Sequence, residues 1–181
     1  MKSTTETVLY WSLLQTDQWH MHLAATASGL CYVGSHNQPF MELSAWASKR
    51  FRNHRLIEDA RRLQPYTMAL TLYLQGEAKE FGGVPLDLPG TEFQRKVWQA
   101  LMEIPYGETQ SYSEIARSIG RSSAVRAVGA AIGANPLLIV IPCHRVLGKH
   151  GALTGYRGGL DMKARLMKLE QEYRAHAGEV S

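Results

Sequence analysis

Apolar and polar positions fall into two patterns along this chain, and the pattern changes within the first half. Residues 8–14, 19–25 and 30–33 are short apolar-rich runs separated by turn residues such as Ser28-Gly29. Runs of this length bounded by turn signals predict strands, and a small antiparallel meander is the economical arrangement. Residues 38–51 and 55–74 then take on helical spacing, with Tyr66, Leu70 and Leu74 on one face and Pro65 expected to open a new helix or turn. The basic set Lys49, Arg50, Arg52 and Arg55 fits a solvated face.

Breakers gather in Gly82-Gly83-Val84-Pro85-Leu86-Asp87-Leu88-Pro89-Gly90, which predicts a linker. The expected division is an N-terminal domain over 1–83, a linker over 84–90 and a C-terminal domain over 91–181. Thr91 and Gln94 make a capping box, after which Phe93, Val97, Trp98, Leu101 and Met102 form an amphipathic helix that ends before the turn Pro105-Tyr106-Gly107-Glu108.

Ser111 and Glu114 make a second capping box for a short helix through Ile115 and Ile119, closed by Gly120. Another helix over 123–133 stops at Asn135-Pro136. Two short helices joined through a glycine turn make a helix-turn-helix candidate, and a purely structural pair fits the same residues. The second helix is slim, with Ala127, Gly129, Ala130, Ala131 and Gly133 around a projecting Arg126. Its small face suits packed protein or a DNA minor groove about 6 Å wide; the sequence alone leaves both open.

The run Ile139-Val140-Ile141-Pro142-Cys143-His144-Arg145-Val146 carries the strongest chemical signal. Its β-branched start predicts a buried strand or extended segment, which Pro142 ends because it has no N–H to donate. A thiol, an imidazole and a guanidinium follow at once. Thiolate is the reactive form of cysteine, and a neighbouring base or cation lowers its pKa from about 8.5 toward roughly 3.5–7.5. A cysteine acting as a small buried hydrophobe would account for Ile139 to Ile141. It would not account for the polar pair that follows, so a catalytic thiol is the favoured reading.

Downstream, Gly148, Gly151, Gly155, Gly158 and Gly159 punctuate a loop that holds Tyr156 and Arg157, and glycines at this density permit close backbone approach to a ligand. The last helix, over 161–174, carries an apolar stripe of Met162, Leu166, Leu169 and Tyr173, with Glu170 at its edge. A carboxylate there can turn under the core toward an imidazole or stay exposed beside Lys163 and Arg174.

Composition narrows the class. The chain has 181 residues, 45% of them hydrophobic, which suits a globular protein with a real core rather than a disordered one. A net charge of +4 is a mild pointer to a polyanionic partner. The two cysteines cannot form a disulfide framework. No early apolar run resembles a signal peptide, and nothing approaches the roughly 20 apolar residues of a membrane span. A cytoplasmic location is expected, or a nuclear one in a eukaryote. His20, His22, His36 and His54 with Cys31 lack the tight spacing of zinc ligands. No metal and no cofactor are expected.

Taken with Arg126-Ala127-Val128-Gly129, Asn135-Pro136 and Gly155-Tyr156-Arg157-Gly158-Gly159, the Ile141-Pro142-Cys143-His144-Arg145-Val146 motif closely resembles that of the O6-alkylguanine-DNA alkyltransferases. The resemblance runs from about Thr91 to Glu170, and the N-terminal half fits the family's ribonuclease-H-like domain more loosely. It implies an α+β protein: a mixed N-terminal domain followed by a mainly helical one with a helix-turn-helix.

By the same resemblance Cys143 accepts an alkyl group, chiefly methyl, from O6 of guanine and also from O4 of thymine, irreversibly and once per molecule. His144, through a water, would deprotonate the thiol; Glu170 would orient the imidazole; Tyr112 would donate a proton toward guanine N3. Asn135 would brace the helix-turn-helix against the cysteine segment. Arg126 would fill the gap left by a base flipped out of duplex DNA through the minor groove. Ser113, Arg121 and Lys149 occupy phosphate-contacting positions, and Val146, Tyr156 and Arg157 belong to the substrate-binding set.

Arg157 departs from the serine or alanine often found there, so a pocket narrowed toward methyl adducts is expected. The absence of a cysteine set for an extra metal-binding sensor domain favours a repair-only protein. The partner is then double-stranded DNA bearing O6-alkylguanine. A monomer in solution is expected, with cooperative assembly on DNA left open. Two rivals compete: a non-catalytic helix-turn-helix DNA-binding protein or regulator, and a hydrolase with Cys143, His144 and Glu170 as a triad. A hydrolase would require an oxyanion site that the sequence does not display.

Overall fold

The computed structural model describes residues 5–178, with side chains as far as Arg174. It divides into two compact units, one up to Pro89 and one from Gly90.

In the first unit, β1 (Thr7–Gln15), β2 (His20–Thr26) and β3 (Gly29–Val33) form the expected antiparallel meander, followed by α1 (Phe40–Arg50), β4 (His54–Glu58) and α2 (Ala60–Leu74). The sheet order is β3-β2-β1-β4, with β4 parallel to β1 and Leu9 opposite Leu56. A parallel neighbour needs a crossover connection, and α1 lies in it. Leu9, Ala24, Cys31, Tyr32, Leu43 and Ala47 make a buried cluster on which Trp11, Phe40, Trp46, Phe51 and Leu56 pack.

Two expectations change here. Residues 54–58 are strand rather than the start of a helix, because Leu56 and Ile57 pair with β1. The helix begins only after Asp59, whose carboxylate accepts from the Arg62 N–H and caps it. Pro65 lies inside this single helix and starts nothing new. The breaker-rich stretch that follows is tied down to β3 and the end of β2. Leu30 N–H donates to the Pro85 carbonyl at 2.9 Å, Asp87 N–H to the Leu30 carbonyl at 2.9 Å, and Thr26 Oγ1 to the Asp87 carboxylate at 2.6 Å.

The second unit contains α3 (Glu92–Met102), β5 (Gln110–Ser111), α4 (Tyr112–Ser118), α5 (Val125–Gly133), β6 (Val146–Leu147) and α6 (Leu160–Gly178). Both capping boxes form as their spacing predicts: Thr91 with Gln94 opens α3, and Ser111 with Glu114 opens α4. Gly120, at φ 71°, ends α4 while Arg121 N–H reaches back to the Ala116 carbonyl at 2.8 Å. That left-handed turn is a Schellman closure, and it swings the chain into α5.

Val128, Ala131 and Ile132 of α5 point into the core, while Arg126, Ala127, Ala130 and Gly133 are exposed. Trp98 Nε1 donates to the Ala131 carbonyl at 2.8 Å and fixes α5 against α3. Of the two orientations open to the slim helix, its small side therefore faces outward. On α6 the buried face is Met162, Lys163, Leu166 and Glu170; Leu169 is half-buried and Tyr173 is exposed. The apolar stripe expected on this helix thus turns toward two charged residues. No helix among the described residues is long and apolar enough to cross a membrane.

Candidate active site

The residues before the thiol form tight turns where a strand was expected. Val140 N–H donates to the Leu138 carbonyl at 2.9 Å, closing a three-residue turn on Ile139 at φ 73°. A β-branched residue with positive φ is rare, and such a conformation costs about 1–3 kcal/mol, held by its surroundings. Those surroundings are tight: Leu137, Leu138, Ile139 and Ile141 are fully buried. A second three-residue turn follows at Pro142 (φ −79°, ψ 59°), with Cys143 N–H donating to the Ile141 carbonyl at 2.7 Å. The two reversals deliver Cys143 as the first residue of a 3-10 turn, Cys143–Arg145, which runs directly into β6. Burial among hydrophobic side chains, with no ladder partner, replaces strand pairing here.

Asn135 braces this segment. Its Nδ2 donates to the Ile141 carbonyl at 3.0 Å and to Cys143 Sγ at 3.1 Å, and its Oδ1 accepts from Leu137 N–H at 2.8 Å. The side chain is fully buried, so every polar atom it brings in has to be matched. Because Asn135 follows α5 directly, the same residue couples the helix-turn-helix to the thiol.

His144 and Glu170 meet as the sequence suggested: His144 Nε2 donates to Glu170 Oε1 at 2.6 Å, with both groups buried. This bond assigns the proton to Nε2 and leaves Nδ1 as the basic nitrogen. Arg145 is the larger finding. Its Nε lies 3.1 and 3.0 Å from the two Glu170 oxygens, its Nη2 3.0 Å from Oε1, and its Nη1 donates to the Ile104 carbonyl at 2.6 Å. Gly107 N–H adds a further bond to Glu170 Oε2 at 2.8 Å. Glu170 is therefore a four-sided hub. The partners lie 26 and 25 residues apart, so local sequence gives no sign of it.

Electrostatics follow from this burial. Burial pushes the Cys143 thiol above its ordinary value, opposed by the Asn135 amide and by the positive charges of Arg157 and Lys163. Burial likewise holds His144 below its ordinary value, against the Glu170 hydrogen bond that pulls it up. The resting site is thus a protonated thiol with a neutral imidazole behind it. Cys31, the other cysteine, is likewise pushed above its ordinary value by burial and by Asp87.

Cys143 opens on a cavity of about 310 Å³ whose walls are Tyr112, Ile132, Tyr156 and Arg157, with Gly129, Gly133 and Gly155 leaving room between them. Tyr112 is the first residue of α4. A Cβ at Gly155 would stand 3.5 Å from its hydroxyl, so glycine keeps that wall open. At Gly158 a Cβ would come within 2.5 Å of Met162 Sδ and 2.7 Å of the Tyr156 ring, and only glycine fits. The Tyr156 hydroxyl is buried without a hydrogen-bond partner among the described residues. Arg157 Nε donates to the Asn135 carbonyl at 3.0 Å and its Nη2 to the Pro136 carbonyl at 3.2 Å, which lays the guanidinium along the cavity wall.

The remaining candidates lie elsewhere. Ser113 and Lys149 line a second groove of about 540 Å³ together with Thr109, Gln110 and His150. Arg121 and Arg126 are exposed on the helix-turn-helix. Val146 is fully buried, so its side chain belongs to the core; its carbonyl accepts from Lys163 Nζ. Lys163 itself is buried. Its spacing of three and seven residues from Leu166 and Glu170 was the one available sign that it shares their buried face.

Comparison with known proteins places the chain in a family. Residues 92–172 match the family described as 6-O-methylguanine DNA methyltransferase, DNA binding domain, and residues 9–88 match its ribonuclease-like domain. The chain is 55% identical over 168 residues to the inducible methylated-DNA–protein-cysteine methyltransferase of Bacillus subtilis, covering 93% of each. In structure it is similar to Mycobacterium tuberculosis OGT in complex with DNA, with a TM-score of 0.78, 40% identity and coverage of 91% of this chain and 94% of that one. A Pyrococcus kodakaraensis O6-methylguanine-DNA methyltransferase shares the fold at a TM-score of 0.70 and 24% identity, covering 90% and 98%.

Proposed function

The chain belongs to the 6-O-methylguanine DNA methyltransferase family and performs its direct-reversal DNA repair, and from that premise we propose that Cys143 is the alkyl acceptor. One observation carries the assignment: Cys143 Sγ sits at the wall of the 310 Å³ cavity, held by Asn135, with the His144 and Glu170 pair directly following it.

In the proposed step the Cys143 proton passes, by way of water, to Nδ1 of His144, whose Nε2–H bond to Glu170 steadies the resulting imidazolium. The thiolate attacks the alkyl carbon; a carbon–sulfur bond forms and the carbon–O6 bond breaks. The released electron pair goes to guanine, where a proton from the Tyr112 phenol toward N3 makes the base a better leaving group. The thioether has no route back to thiol, so each molecule acts once. A thiol kept protonated by burial suits this sequence, since it stays inert toward stray electrophiles until a base fills the cavity.

A buried thiol cannot reach a carbon inside stacked duplex DNA, so the target nucleotide is proposed to flip into the cavity, at a cost of a few kcal/mol. The outward slim face of α5 supports entry by the minor groove, with Arg126 filling the vacated stack and Ser113, Arg121 and Lys149 meeting phosphates. Contacts of that kind position the protein without reading sequence, which suits a search for damage. A methyl group on O4 of thymine presents the same oxygen-bound carbon on a smaller ring, and we include it as a second substrate.

Incubation with O6-methylguanine duplex followed by intact-mass measurement tests the assignment. One methyl per chain on Cys143, lost in Cys143→Ser, is the expected result. Methyl on another residue would overturn it, and repeated turnover by one molecule would point to a hydrolytic thiol instead.

A further inference from the structure

Lys163 is fully buried, yet among the described residues no carboxylate bonds to it. Its ammonium donates to three backbone carbonyls: Val146 at 2.5 Å, Thr154 at 2.8 Å and Gly155 at 3.5 Å. An ammonium has three donors, and here all three are spent on main chain. Burying such a group is costly unless it is fully hydrogen-bonded, and an ordinary structural staple could be made by a neutral side chain at less cost.

The choice of carbonyls points to a reason. Val146 is the residue that leaves the Cys143–Arg145 turn and pairs with Gln110 beside Tyr112. Thr154 and Gly155 lead into Tyr156 and Arg157, which wall the thiol cavity. One cation on α6 therefore joins the segment that carries the nucleophile to the loop that closes over the substrate.

We propose that Lys163 is a positioning residue for alkyl transfer, whose buried ammonium clamps the cavity loop to the thiol segment and supplies a fixed positive charge that favours the Cys143 thiolate. The proposal rests on Cys143 being the acceptor. Other charged and titratable groups facing this region are Arg157 from the loop, His144 and Arg145 from the turn, Glu170 from α6 and the Tyr156 phenol. Of these, Arg157 and Lys163 are the cations that act on the thiol, so removing Lys163 leaves Arg157 alone in that role. Burial in turn pulls the Lys163 ammonium below its ordinary value, and a negative charge forming on Cys143 opposes that pull.

Lys163→Met keeps an unbranched side chain one atom shorter and removes its charge, and Lys163→Arg keeps the charge. The single-turnover rate of methyl transfer from O6-methylguanine duplex is followed by mass from pH 6 to 10 for the three proteins, alongside the thiolate absorbance of the DNA-free chains. A Cys143→Ser chain titrated in parallel supplies the blank for Cys31 and the tyrosines. For Lys163→Met the expected result is a thiolate titration moved up by about one unit, with transfer near pH 7 slowed roughly tenfold and recovering as pH rises. Lys163→Arg is expected to hold the native titration.

A folded Lys163→Met with native titration and rate overturns the proposal, as does a rate loss that is the same at every pH. Should Lys163→Met fail to fold, Lys163→Arg decides: a folded arginine variant whose thiol titrates a unit higher also overturns it. Failure of wild type itself to take methyl on Cys143 would mark the acceptor assignment, not the lysine, as the error.

Discussion

Arg145 holds Glu170 by a bidentate grip, Nε at 3.1 and 3.0 Å from the two carboxylate oxygens and Nη2 at 3.0 Å from Oε1, in the same buried site where His144 meets Oε1. The guanidinium neutralises the carboxylate on which the imidazole leans, and its charge helps keep His144 unprotonated. Truncating one partner of a buried pair leaves the other uncompensated, at about 3–5 kcal/mol. Arg145→Met and Glu170→Ala are each expected to lose that much in urea unfolding, with the double variant well short of the sum. Single variants within about 1 kcal/mol of wild type would contradict the pairing.

Burial lowers His144 below its ordinary value while the unfolded chain titrates near 6.5. In the window beneath 6.5 the unfolded state binds the extra proton, so stability is complete above that value and falls as pH drops through the folded value. Transfer should persist somewhat below pH 6.5 and then decline as His144 protonates. His144→Gln should remove that acid limb; a limb of unchanged position would assign it to another group.

Cys143 is 4% exposed and its sulfur already accepts from Asn135 at 3.1 Å. A methyl group on sulfur must displace that bond or press on the cavity wall, and overpacking of this kind costs about 1–3 kcal/mol. The methylated protein is expected to unfold at a lower temperature than the free protein. Equal midpoints by calorimetry would show that the cavity absorbs the group without strain.

Arg157 lies along the cavity wall, anchored to the carbonyls of Asn135 and Pro136. Methyl adducts should therefore transfer faster than benzyl adducts, and Arg157→Ala should narrow the gap by at least tenfold. An unchanged preference in rate measurements with both adducts would remove Arg157 from any role in selecting alkyl size.

Much of the fold was legible in local pattern. The meander and both capping boxes follow from residues a few positions apart, and those interactions are made within the same turn or hairpin. Where expectation failed, a long-range partner had overridden local preference. Residues 54–58 became strand because β1 offered a parallel edge, and residues 139–141 became turns because a packed core could hold a strained Ile139.

The site divides along the same line. Sequence by itself determined the chemical type of the nucleophile and its neighbours, since Cys143, His144 and Arg145 are consecutive and their chemistry needs no fold to be recognised. It also carried the family resemblance that pointed to Glu170, Asn135 and Tyr112. Only the tertiary structure decided what those side chains do to one another. It made Glu170 the partner of Arg145, drew Lys163 inside, sent the Val146 side chain to the core and set the small face of α5 outward. The physical reason is burial: a charge in water is screened and nearly indifferent to its neighbours, whereas a charge taken into the core must find its partners there, wherever in the chain they come from.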